Sequence, residues 1–451
     1  MKIALIFLVL IAMVVLGLPF SVAGDSSLTG AVQSFISYGL ATTGLLLGML
    51  TIFMSRSVSD ELTGRQIFLL VSKPIPRWEY VVGKWLGITL LNASFLVCAG
   101  ATVYGMVHYI KRTHPPIDPQ FDAAELNNEV LVARHAGKAH LPDFTEDAEV
   151  EFQKNLEEGR YADQPKFDAK IEKKRLAQKY EAKWRVVGPG DSRIFEFENI
   201  LCDRSPTNTI QLRYKAEISQ YPPDEIYRSA WLFGDRYKGT PVHQVARRDM
   251  QGRYHTIRVP ADAVAADHTL LVRFYNYNPY QAEVSWPNVI EFRASDPVEV
   301  LFTVGTFEGN LFRLLVIMLC KLGFLAAVAV LTVTVFSFPV ACLTSFTVYA
   351  LAGVRSFLLE SLDLASVNNA GIFSSVKEFV VQSLMLIFRG IYWVVPDFGR
   401  YDAVEDLVNG RNVSLVWVLQ AITELALLKT VIILGLAILF FHRREVAEVS
   451  V

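Results

Sequence analysis

The chain has 451 residues, 52% of them hydrophobic and 20% charged, with a formal net charge of −2. That balance is too apolar for a soluble protein of this size, and no basic tail or stripe points to nucleic acid. The charges are unevenly placed, with 58 of the 88 falling between Lys111 and Glu308, so a polar segment of 198 residues is set inside a mostly hydrocarbon chain.

Six apolar runs approach or exceed the length of about 20 residues that crosses a bilayer. They are Ile3–Ala23, Val32–Met54, Val81–His108, Leu311–Val335, Val340–Leu362 and Ser414–Phe441. Each is expected to be helical, because hydrocarbon offers its backbone groups no other partner. The first run has a second reading: Met1-Lys2, an apolar stretch and Ser21-Val22-Ala23 resemble a cleavable secretory signal. However, the uncharged stretch Ile3–Phe20 exceeds the usual signal core of roughly 7–15 residues, which favours a retained span.

The loop after the second run is the most informative segment. It reads Arg56-Ser-Val-Ser-Asp-Glu61-Leu-Thr-Gly64-Arg65, continues to Lys73-Pro74-Ile75-Pro76-Arg77-Trp78-Glu-Tyr80, and ends at Gly83-Lys84-Trp-Leu-Gly87. A short helix capped by Ser59 or Asp60 is expected, with Leu62, Ile67, Leu70 and Val71 on its apolar face. Two prolines then force a turn, and a new helix begins near Arg77.

Between residues 111 and 308 the pattern changes. Residues 121–187 are predicted helical, and Ala148–Trp184 reads as a solvated helical pair. Residues 192–305 alternate apolar and polar residues between turn signals such as Tyr221-Pro-Pro-Asp224, which predicts an antiparallel β-sandwich. Trp231, Phe274, Tyr275, Tyr277, Tyr280 and Trp286 are candidates for a sugar-stacking surface, with core and turn positions as the alternative and the favoured reading. His135 and His140, five apart around Gly137-Lys138, suit a loop and lack a carboxylate partner, so no metal site is expected. Of Cys98, Cys202, Cys320 and Cys342 only Cys202 is in this segment, so no disulfide framework holds it.

In the C-terminal third, Lys321, Glu424 and Lys429 fall inside apolar runs. At 1.5 Å per residue they lie roughly 24, 28 and 21 Å above the inner ends of their helices, in the outer half of the bilayer. Charges there are costly and usually face a partner or a cavity. An intramembrane polar cluster is expected, Glu424 pairing with Lys321 or Lys429, with snorkelling to the outer interface as the alternative. Residues 374–396 are interrupted by charge near both ends; as a seventh span they would carry Lys377, Glu378 and Arg389 and put the C-terminus outside, and they are read instead as an outer-face re-entrant or interfacial helix. Arg56, Arg65, Lys73, Arg77 and Lys84 in the loop, and His442, Arg443 and Arg444 after the last run, place both on the cytoplasmic side. Both termini are then cytoplasmic and residues 111–308 external.

The loop, six spans and basic C-terminal end together resemble the type-2 permeases of ATP-binding-cassette (ABC) transporters. The resemblance covers about residues 30–110 and 309–451, and Glu61, Gly64, Pro74, Arg77, Gly83 and Lys84 match its pattern. It implies a multi-span α-helical membrane protein; with the inserted external α+β domain read from the charge and strand pattern, the chain is organised as 1–110, 111–191, 192–308 and 309–451. It also implies a cytoplasmic coupling helix at about 57–72, with Glu61, Gly64, Arg65, Pro74, Arg77 and Lys84 as ATPase-coupling residues. Two departures stand out: the chain starts at Met1-Lys2 where the family opens with an amphipathic helix, so that helix is either missing or upstream of this start, and the external insertion is unusually large. No Gly-x-x-x-x-Gly-Lys-Ser/Thr stretch occurs, so ATP and Mg are expected on a partner ABC ATPase subunit, and no cofactor or catalytic residue in this chain. The expected function is that of an exporter permease in the cell inner membrane, as a homodimer or beside a second permease. The alternatives are a non-transporting mechanotransmission subunit and a membrane-anchored glycan-binding protein.

Overall fold

The computed structural model describes residues 27–63, 76–113, 121–160, 169–205, 208–219, 226–277, 289–292, 298–367 and 395–443, with Ile6, Val9, Leu10, Met13 and Gly17. The chain divides into two compact units, one of Met1–Ala133 with Gly305–Val451, the other of Arg134–Val304.

The first unit is helical. Its elements are α1 (Leu28–Met54), α2 (Arg56–Thr63), α3 (Arg77–Thr113), the short α4 (Phe121–Glu125), α7 (Phe307–Val335), α8 (Phe338–Val367), the short α9 (Val404–Val408) and α10 (Leu415–Arg443). Among the described residues five helices are long and apolar enough to cross a membrane: α1 running on through α2, then α3, α7, α8 and α10. With them, the chain is a multi-pass membrane protein carrying an inserted strand-rich domain. The expected span Ile3–Ala23 and the expected interfacial helix 374–396 fall almost wholly outside the described residues.

Helix α7 is the axis of this unit. Its Ala326, Ala327, Val328, Ala329 and Val330 are buried, and these mostly small side chains let neighbouring backbones approach closely where no water drives association. Polar contacts lock the neighbours: Asn92 on α3 donates to Thr51 Oγ1 on α1 at 2.8 Å, and Trp85 Nε1 donates to the Gly323 carbonyl at 2.9 Å.

A segment with no expected structure, residues 395–414, folds onto this bundle. Fully buried Asn310 donates to the Arg411 carbonyl at 2.6 Å and accepts from the Val413 N–H at 2.7 Å. Arg313 donates to Asn412 Oδ1 at 2.7 Å and Arg355 to the Val395 carbonyl at 2.6 Å. Asn310→Ala should therefore leave two backbone groups unpaired and cost about 2–3 kcal/mol. Thermal unfolding of the purified chain measures it, and an unchanged midpoint would show that the segment is not pinned there.

The second unit holds α5 (Thr145–Glu157), α6 (Ala169–Trp184) and most of its strands: β1 (Val132–His140), β2 (Val186–Val187), β3 (Ser192–Phe197), β4 (Thr209–Lys215), β5 (Glu217–Ile218), β6 (Ile226–Phe233), β7 (His243–Met250), β8 (Tyr254–Pro260), β9 (Leu270–Asn276), β10 (Ile290–Glu291) and β11 (Val298–Thr306). The expectation was a sandwich of separate sheets. The larger strands instead form one eight-stranded sheet, ordered β7-β6-β9-β3-β1-β11-β4-β8, beside a small β2-β10-β5 sheet. The larger sheet curls on itself: Tyr214 of β4 and Trp231 of β6 are separated by four strands in its order, yet their rings lie 4.5 Å apart. Alternation built this core, since β9 buries every second residue from Leu270 to Asn276 against Phe195, Phe292 and Trp231.

Residues 132–140, expected within a helical stretch with His135 and His140 in a loop, are a strand. Ala139 pairs with Phe197 and His140 with Glu196. The sequence there has weak strand propensity, and pairing with distant neighbours overrides it.

Candidate functional site

The loop motif assembles at one end of the helical unit. Helix α2 begins at Arg56, earlier than the expected caps at Ser59 or Asp60, because the Ser55 carbonyl accepts from Val58 N at 3.0 Å and Ser59 N at 3.1 Å. This start turns Val58 and Leu62 onto Val333, Ala341 and Tyr80, while Arg56 and Asp60 face outward and pair at 3.5 Å. Glu61 then meets α3. Its Oε2 accepts from the Tyr80 hydroxyl at 2.9 Å, and its Oε1 from Lys84 Nζ at 2.5 Å.

The same end ties in the last helix. Arg77 donates to the His442 carbonyl at 2.7 Å, a cation on the negative end of α10. The Tyr80 ring stacks on Phe441 with centroids 5.4 Å apart. Thus α2, the start of α3 and the end of α10 form one clasp, with Tyr80 touching both other helices. Of the sequence candidates, Glu61 and Lys84 are in direct contact and Arg77 caps the neighbouring helix. Gly64, Arg65 and Pro74 lie outside the described residues. Tyr80 was foreshadowed by its i,i+4 spacing to Lys84, whereas the sequence marked Phe441 and His442 only as the end of the last run and not as partners of this loop.

The intramembrane charges separate into two places. Glu424 Oε1 lies 3.3 Å from Lys429 Nζ, and its Oε2 accepts from the Tyr401 hydroxyl at 2.6 Å. The pair is made possible by a π-helical stretch, Ile422–Lys429. In an ordinary helix residues five apart diverge, whereas the wider i→i+5 turn sets one above the other. Tyr401 comes from the folded 395–414 segment; burial, then the Glu424 carboxylate, pushes its phenol up to about 12. Lys321 does not join this pair. It lines a cavity with Tyr349, Asp402 and Glu405, its Nζ 5.8 Å from the Phe398 ring centroid. Glu424→Gln should lower the thermal midpoint by more than Lys429→Met does, because Glu424 alone serves two donors. A double-mutant cycle should return roughly 0.5–2 kcal/mol of coupling, and zero coupling would deny the pair.

In the second unit Trp231 and Phe274 are fully buried and belong to the core, so they offer no sugar-stacking face. Tyr280 and Trp286 lie outside the described residues. Buried Asp249 accepts from Tyr214 and from Arg247, whose Nη2 is 2.8 Å away, and burial drives the Tyr214 phenol well above its usual range. Among the described residues no group of three His, Cys, Asp or Glu could hold a metal ion.

Residues 2–122 match the family model described as ABC-2 family transporter protein. No curated protein and no solved structure matches the chain. The matched residues, about a quarter of the chain, include the clasp loop and two of the spans, and over them the chain is similar to the ABC-2 type transporter permeases.

Proposed function

We propose that the chain is the passive, membrane-embedded half of an ATP-driven exporter, with α2 as the element an ABC ATPase subunit pushes. The observation that carries this reading is the clasp. A short helix displaying Arg56 and Asp60 outward is held from behind by Glu61 on Tyr80 and Lys84, and Tyr80 is stacked on the last span. Force on α2 has a polar and aromatic route into two membrane helices at once, which a plain connector would not need. The basic residues of the loop and of the C-terminal end put this clasp in the cytoplasm, at the inner membrane, and two permease chains complete a pathway. Gly64, Arg65 and Pro74 extend the docking surface in this reading, and ATP and Mg stay on the partner.

Co-expression with candidate ABC ATPase subunits from the same genome tests the assembly. The chain and one of them should purify together, with ATPase activity rising on reconstitution, and failure to co-purify with any would remove the reading. A second reading, a subunit that moves its inserted domain without transporting, is favoured by one feature: strand β11 ends at Thr306 and α7 begins at Phe307 with no linker between them. Steady ATPase activity with no solute movement in vesicles would select it.

A further inference from the structure

The cavity that holds Lys321 has a volume of about 790 Å³, within the range that takes a drug-sized ligand. Its walls are of two kinds. Leu40 and Leu45 of α1 and Leu314, Ile317 and Met318 of α7 make a hydrocarbon side. Opposite them Asp402 and Glu405, both exposed, bring two carboxylates from the 395–414 segment.

Lys321 stands at the middle of α7, fourteen residues from either end. Among the described residues no hydrogen bond or ion pair within 4 Å reaches its ammonium group; the Phe398 ring centroid lies 5.8 Å away, and the Asp402 and Asp397 carboxylates act on it only across a longer distance. An ammonium carries three N–H donors, and leaving them without acceptors in an apolar wall is costly. An anionic oxygen entering the cavity would satisfy them with charge-assisted hydrogen bonds. The occupant that uses every wall has an apolar chain, an anion for Lys321 and, beyond it, a cation for the two carboxylates.

We propose that this cavity binds a zwitterionic phospholipid of the phosphatidylethanolamine type. Its phosphate sits on Lys321, its ammonium on Asp402 and Glu405, and its acyl chain lies along Leu314, Ile317 and Met318. This binding does not depend on the exporter reading; only if that reading holds does the lipid class become a candidate cargo.

The test is native mass spectrometry of the purified full chain in detergent, without any ATPase. It is titrated with phosphatidylethanolamine, phosphatidylglycerol or glycerophosphoethanolamine, the headgroup without chains. Phosphatidylethanolamine should bind best. Lys321→Gln should weaken both lipids by roughly tenfold or more, the loss of one charge-assisted bond. Asp402→Asn with Glu405→Gln should weaken phosphatidylethanolamine alone and erase its advantage. Gly353 also lines the cavity, and a Cβ there meets no heavy atom within 4 Å. Gly353→Leu should therefore fill the space and abolish lipid binding at an unchanged or raised melting temperature, so the test survives even if Lys321→Gln fails to fold. Equal binding of the two lipids by the native chain overturns the proposal. So does retention of lipid by Gly353→Leu, or binding of the chainless headgroup as tightly as the lipid.

Discussion

Replacing Glu61 with Gln should uncouple ATPase activity from the membrane helices while leaving the protein folded. Among the described residues Glu61 accepts from both Tyr80 and Lys84. The amide keeps one acceptor oxygen but loses the charge that holds Lys84. The Lys84 and Glu61 side chains are 27% and 25% exposed, so solvent screens part of the interaction, and about 1 kcal/mol of stability is at stake. That is a shift of a few degrees at most in the melting temperature. The functional effect should be much larger, because α2 is tied to the transmembrane helices through few polar contacts. A tenfold or greater loss of permease-stimulated ATPase activity is expected, with basal ATPase activity and co-purification retained. Lys84→Met should reproduce it, and the double variant should be no worse than either single one. Unchanged stimulation in Glu61→Gln would remove the clasp from the coupling path.

Gly410→Ala is expected to be the most damaging single substitution for stability. Gly410 follows α9 with φ +61°, a conformation that glycine adopts readily and other residues rarely. The conformation alone would be a moderate problem. The larger one is space, since a Cβ built there falls 1.8 Å from the Glu129 carbonyl oxygen. A backbone oxygen cannot swing aside as a flexible side chain can. The Asn310 bonds to Arg411 and Val413 sit next to it and would be disturbed with it. The cost should be on the order of 3–5 kcal/mol, near the top of what point substitutions do. Gly410→Asn separates the two causes. Asparagine tolerates positive φ, so it would rescue a purely conformational defect, but its Cβ meets the same oxygen. Both variants should lose folded yield and melting temperature together. A well-folded Gly410→Asn would show that the close approach to Glu129 can relax.

The membrane character of the chain, and the helical state of its long apolar runs, were legible from residue order alone. Hydrocarbon leaves a backbone one local solution, and the i→i−4 bonds that satisfy it are contained within each run. The contact between Glu61 and Lys84 was nearly legible too, since both lie in one short loop motif. In the inserted domain, strand alternation announced β9 and β3, because a half-buried sheet imprints a period of two on its own sequence. Their arrangement was not announced. One curled sheet and two separate sheets demand the same alternation, and the pairing of β1 with β11, which joins all eight strands into one order, distinguishes them. Strand β1 was missed for the same reason, its residues being held by partners such as Phe197 rather than by their own preference.

The polar interior of the bundle shows the division most clearly. Sequence placed Lys321, Glu424 and Lys429 at apolar depths and called for a partner, a cavity or snorkelling for each, because an uncompensated charge is expensive there. It left open which partner each would take. A widened helical turn joined Glu424 to Lys429, Tyr401 arrived from a segment with no local signal, and Lys321 was left facing a cavity. Those choices rest on contacts between residues far apart in the chain. Local physics decides what each residue needs, and only the packed structure decides which distant group supplies it.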